Sequence, residues 1–168
     1  MASKEELQEK YYDITELYDL AQELIETVES EFVKQPKAQL KLVEPLAEEV
    51  GDAADVLTEE FIALADGKKK FRNKSRIEGA LRKVYMAIEA YHQEVSASAG
   101  DLKTGFRNIA DPIVKKIKRQ MEVVIATFLE FVDLSLDRIM HKSEIENLKQ
   151  RQEKIALMLH AASQGQGT

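Results

Sequence analysis

Three histidines, His92, His141 and His160, are the whole supply of imidazole in this chain, and two of them follow an acid at helical spacing. Glu89-Ala-Tyr-His92 spells the Glu-x-x-His pair with which helical bundles hold two metal ions, in company with a second such pair and two further glutamates. No second pair is present. At about 100° of turn per residue, Glu89 points roughly 120° and His92 roughly 60° away from the apolar stripe of their own helix. The pair therefore faces the boundary and the outside. Asp137 and His141 stand four apart, again without a second pair of ligands to match. No metal and no other cofactor is expected.

Nucleophilic chemistry has no better footing. The chain lacks Cys, which removes a thiol nucleophile, a Cys-ligated zinc site and a disulfide scaffold. No Gly-x-Ser-x-Gly elbow occurs, no Walker loop, and the 7 glycines are too scattered for a dinucleotide fingerprint. Asp and Glu together number 30, but a carboxylate exposed on a helix has no cause for a shifted pKa. The chain reads as non-enzymatic.

The densest charge is Lys68-Lys69-Lys70-Phe71-Arg72-Asn73-Lys74-Ser75-Arg76, with six basic residues in nine. Lys68, Lys69, Lys70, Phe71, Arg72, Lys74 and Arg76 form a candidate anion-binding tip, with Phe71 as an apolar wedge against acidic lipid headgroups or another acidic surface. The competing expectation is that acids at the end of the preceding helix, Glu59, Glu60 and Asp66, neutralise it. Nucleic acid is not an expected partner, because the chain carries a net charge of −6 and matches no reader motif. Tyr11, Tyr18 and Tyr91 lie on apolar stripes, where the ring packs and the hydroxyl reaches the bundle edge.

These residues have to be positioned by helices, since no strand-like alternation appears. Ser3 and Glu6 form a capping box ahead of Leu7, Tyr11, Ile14, Tyr18, Ala21, Ile25, Val28 and Phe32, which step by 4 and 3. Leu17 and Leu24 widen that stripe, and Pro36 marks its end. Val43, Ala47, Val50, Ala54, Leu57, Phe61 and Leu64 repeat the pattern. Pro45 is expected near the start of the secure part of this second helix, with Lys37 to Glu44 left open as an extra turn or two, and Gly67 as its C-terminal cap. A third helix carries Ile77, Leu81, Val84, Ile88, Tyr91 and Val95 behind a Ser75–Glu78 capping box, and fades through Ser96-Ala97-Ser98-Ala99 toward Gly100 and Gly105.

Asp111-Pro112 is expected to open the fourth helix, as N-cap and first helical residue. Its stripe runs Val114, Ile117, Met121, Val124, Phe128, Phe131, Ser135, beside a second row of Ile125, Leu129, Val132, Leu136 and Ile139. Met140 to Ser143 breaks the rhythm, and a Ser143–Glu146 capping box starts a fifth helix. Ile25, Leu57, Leu81, Val124 and Phe128 are expected at the core. No acid occupies a stripe position in the first four helices.

The fold class expected is all-α: an antiparallel up-down four-helix bundle of long heptad-patterned helices with a fifth C-terminal helical segment. Residues 1–162 form a single domain and 163–168 a flexible tail. No stretch approaches the roughly 20 apolar residues of a membrane span, and the acidic start is no secretory signal, so a cytoplasmic protein is expected. Charge is segregated: residues 1–66 hold 5 basic and 18 acidic residues, whereas residues 67–119 hold 14 basic and 5 acidic. The functional expectation is a scaffolding or interaction protein, self-associating through helix seams, whose partner is a protein or a second copy. The alternative is a module peripheral to an anionic membrane through the 68–76 tip. A third is a metal- or small-ligand-binding bundle.

Overall fold

A computed structural model describes residues 4–32, 36–65, 73–98 and 101–151, together with Glu153 and Leu157. The Ser3 cap, Gly67 and the tail 163–168 lie outside the described residues. Among those described, all regular structure is helical: α1 (Lys4–Glu31), α2 (Pro36–Ala65), α3 (Lys74–Ala97), α4 (Asp101–Leu129), a 3-10 turn (Leu136–Arg138) and α5 (residues 142–151). The helix contacts fit a bundle. α1 packs on α2 and α4, α2 packs on α3, and α3 meets α4 more lightly and the 3-10 turn as well.

The apolar stripes make the core. In α3 every expected position, Ile77, Leu81, Val84, Ile88, Tyr91 and Val95, is buried, and so are Val114, Ile117, Met121, Val124 and Phe128 of α4. In α1 the buried arc is turned toward Ile14, Leu17, Leu20, Ala21, Leu24 and Val28, while Tyr11, Tyr18 and Ile25 are only half-buried. Ile25 is therefore not the core residue expected. The cause is that α1 serves two neighbours, so its core-facing arc is wider than one seam and centred on the leucines.

Pro112, expected at the first position of a helix, sits inside one, and so does Pro45, ahead of which the helix takes in Lys37 to Glu44. α2 begins at Pro36 and runs through Pro45, and α4 begins at Asp101 and runs through Pro112. An interior proline costs about 3 kcal/mol by removing one N–H and crowding the carbonyl four residues back. Pro45 and Pro112 are exposed, as are Lys41 and Asn108 four residues before them. The freed carbonyls therefore belong to outward faces, where water replaces the lost bond. Apolar periodicity also continues upstream of each proline, with Val43 in α2 and Phe106 and Ala110 in α4 all buried. Phe106 packs its ring 5.9 Å from Phe32 and 6.2 Å from Tyr91. Gly105 is thus helical, and Asp111 is no cap: its carboxylate accepts the Tyr91 hydroxyl at 2.7 Å.

The capping boxes expected at Ser75 and Ser143 give way too. α3 starts from Asn73, whose carbonyl accepts the N–H groups of Arg76 and Ile77, and whose side chain does not cap. The break before α5 is present but begins earlier, at Leu129, so Val132, Leu136 and Ile139 are not on α4. α5 starts from His141, whose carbonyl accepts from Glu144 and Ile145 at 3.0 and 3.1 Å, which puts Ser143 inside the first turn.

Phe128 is fully buried and meets Phe61 edge-on at 6.4 Å. Phe128→Ala is expected to cost about 3–5 kcal/mol in a denaturant titration; a loss below about 1 kcal/mol would place this ring outside the core.

Candidate functional site

The segment after α4 crosses back over α3 and α4 and is held there by polar contacts at several points. Glu78 of α3 is buried, and its Oε2 accepts the Ser135 N–H at 2.5 Å. Arg138 Nη1 lies 3.7 Å from the other oxygen, and Lys74 Nζ lies 4.0 Å from Oε2. Arg82 donates to the Arg138 carbonyl at 3.3 Å. His141 Nε2 sits 3.1 Å from Glu89 Oε2, Lys118 Nζ is 3.7 Å from Glu144, and Arg151 donates to Glu122 at 2.6 Å. Val132, Leu134, Ile139, Met140 and Leu148 add buried apolar side chains. The exposed pairs are each worth about 0–1 kcal/mol. The bond to a buried carboxylate is worth more, about 1.5–3 kcal/mol.

No stripe position is occupied by Glu78, so its spacing does not point inward. It stands next to Ile77 on the apolar stripe, so a helix covered on both flanks buries it. Glu60 is the matching case on α2: it is buried beside Phe61 and receives Arg76 at 2.8 Å and the Asn73 amide at 3.2 Å. Arg76 also donates to Glu59 at 2.7 Å.

Those bonds place two of the seven candidate tip residues. Arg76 is committed to Glu59 and Glu60, and those bonds hold its guanidinium above its ordinary pKa. Lys74 stands at the edge of Glu78. Lys68, Lys69, Lys70, Phe71 and Arg72, like Asp66, lie outside the described residues. The other candidate ligands do not assemble. Glu89 and His92 are exposed, His141 pairs with Glu89 and not with Asp137, and His160 lies outside the described residues. Among the described residues no group of three or more His, Asp or Glu side chains is placed to hold a metal. None of the described helices is long and apolar enough to cross a membrane.

Where α5 leans on α3 and α4, open clefts remain. One of about 540 Å³ runs between Ile88, His92 and Ser96 of α3 on one side and Lys118 and His141 on the other. A neighbouring one of about 340 Å³ lies between α4 and α5, lined mainly by charged side chains, with Tyr85 of α3 in its wall. Tyr85 borders both. It is buried one position beyond Val84 on the stripe, and the spacing Leu81, Tyr85, Ile88 is the signal that could have found it. Burial, with Glu122 and Glu144 nearby, pushes its hydroxyl above the ordinary tyrosine range. Burial and the Asp111 bond do the same to Tyr91. Tyr18, half-buried and donating to Asp55 of α2, is pushed up to about 12 by burial and that bond.

Two outcomes follow. Glu78→Ala is expected to cost about 1–3 kcal/mol, with hydrogen exchange speeding up at Ser135 to Met140 more than at Leu57 or Val124; uniform speeding would mean the carboxylate holds no particular segment. A phenol whose folded pKa is raised adds stability below its unfolded value, near pH 10, and loses it as pH climbs through the folded value. Stability should therefore fall between about pH 10 and 12, and Tyr18→Phe should flatten part of that fall in melts taken across the range. No protein-family model, no curated protein and no solved structure matches this chain.

Proposed function

We propose that the chain is a non-enzymatic interaction protein. In this reading its four long helices run up and down, antiparallel to their neighbours, and the α3–α4 side is a surface that takes up helical segments, including those of a second copy. The observation that supports it is the C-terminal segment itself. α3 and α4 touch more lightly than the other neighbouring pairs of long helices, and residues 132–148 seat apolar side chains beside them. The contacts around that seat are polar and placed by charge: Glu78 with Ser135 and Arg138, Glu89 with His141, Glu122 with Arg151. Such contacts fix register more than they add affinity.

A second copy offers the same segment with the same partners. The link from α4 is irregular from Glu130 to Ser135, so the chain can cross there from one bundle to another without breaking a helix. Exchange of an identical element in this way is a low-cost route to a symmetric dimer.

The absence of Cys makes the test clean. Glu89→Cys and His141→Cys are made in separate chains, refolded together and treated with a short bis-maleimide. Exchange gives a covalent dimer of unlike chains, read by mass. If the double variant cross-links within one chain while the mixture yields no unlike dimer, the exchange reading fails. Light scattering over a range of concentrations should show a dimer for the unmodified chain, and a monomer throughout would remove self-association.

A further inference from the structure

The cleft between α4 and α5 carries more positive charge than its own carboxylates can answer. Lys115, Lys118, Arg119 and Arg151 line it against Glu122 and Glu144. Arg151 is taken by Glu122 at 2.6 Å, and Lys118 by Glu144 at 3.7 Å. Lys115 and Arg119 stand one helical turn apart on α4 and have no acidic partner among the described residues. Lys116, between them in sequence, is answered by Glu23 of α1 at 3.1 Å. The two unanswered cations thus sit on the cleft side of α4, and the answered one lies toward α1.

Like charges held together repel unless something offsets them, and partial enclosure strengthens both the repulsion and the attraction of a counter-ion. We propose that this cleft binds a phosphoryl group, carried by a small phosphate-bearing molecule or a lipid headgroup. Two uncompensated positive charges match a phosphate dianion, and the planar fork of Arg119 suits two phosphate oxygens at once. A volume of about 340 Å³ falls at the lower end of small-molecule sites, which run from about 300 to 1,000 Å³. The cleft therefore suits a phosphate with a small substituent better than a large cofactor. Tyr85, a phenol already neutral at ordinary pH and pushed further up by burial, Glu122 and Glu144, adds no third negative charge to the wall. Because α5 forms one side of the cleft, an anion bound there ties α5 to α4. The same lining forms whether α5 returns to its own bundle or is exchanged with that of a second copy, so the site does not depend on association between copies.

Diphosphate is the soluble probe, titrated calorimetrically into the full-length protein at low and at high salt. One site per chain is expected, weakening as salt rises. Lys115→Gln and Arg119→Gln should each weaken it roughly tenfold, the value of one hydrogen bond to a charged group. Lys116→Gln should leave it unchanged, and the Lys115 and Arg119 variants should melt at or slightly above the parent, since each relieves a like-charge repulsion. Vesicles with and without an anionic phospholipid form the second arm. Binding to anionic vesicles that is lost with Lys115→Gln and Arg119→Gln, without diphosphate binding, assigns the phosphoryl group to a headgroup; diphosphate binding with indifference to vesicles assigns it to a soluble ligand. Equal weakening by Lys116→Gln would show a diffuse charge effect and overturn the site. So would the absence of both kinds of binding at low salt.

Discussion

A carboxylate taken out of water must be given donors, and Glu78 finds its closest one on a segment fifty-seven residues further along the chain. That requirement organises the back of the molecule. With its carboxylate on the Ser135 N–H, the chain cannot continue α4 in a straight line; it must return across α3. Arg138 and Arg82 then fall beside the same turn, His141 comes to Glu89, and α5 starts where it can reach Lys118 and Glu122. The clefts around Tyr85 are what remains between two light neighbours, α3 and α4, and the strap laid over them. Glu60 does the same for the start of α3, fixing Asn73 and Arg76. In each case the enforcing term is the cost of an unsatisfied buried charge, several times the worth of a surface pair.

The helices and their inward faces were legible because they rest on one repeated spacing. Steps of 4 and 3 identify the inward face to the residue in α3, and in α1 only to within the wider arc centred on its leucines. Boundaries were less legible, because two proline rules and two capping boxes pointed to starts that packing overrode. Proline is tolerated within α2 and α4 because both rings lie on outward faces, and a period count upstream, through Phe106 and Ala110, outweighs the local signal. The Ser75–Glu78 box failed for a different reason. Glu78 had two uses, one at the helix end and one in the interior, and the interior gave the larger return. Site residues were the least legible. Nothing in the neighbourhood of Glu78 in sequence announces what faces it, since Ser135 and Arg138 arrive from a distant segment.

The segregation of charge along the chain acquires a spatial meaning in these contacts. The acidic first two helices meet the basic middle of the chain at Glu23–Lys116 and at Glu59 and Glu60 with Arg76. Neutralisation is thus local and selective. It reaches Lys116 from α1, Arg76 from α2 and Lys118 from α5, and passes over Lys115 and Arg119 on the same stretch of α4. The net charge of a stretch therefore says little about its free charge, which depends on the face of the helix each cation occupies.

The pairing of α1 with α4 has a temporal side. α1 with α2, and α2 with α3, are neighbours in sequence and close over short connections. The bonds that join α4 to α1 span far more chain: 93 residues between Lys116 and Glu23, and 107 between Gln120 and Asp13. Loop-closure entropy must be met before such contacts return anything, and it grows only slowly with length. The leucine face of α1 is therefore complete only once these long-range contacts have closed.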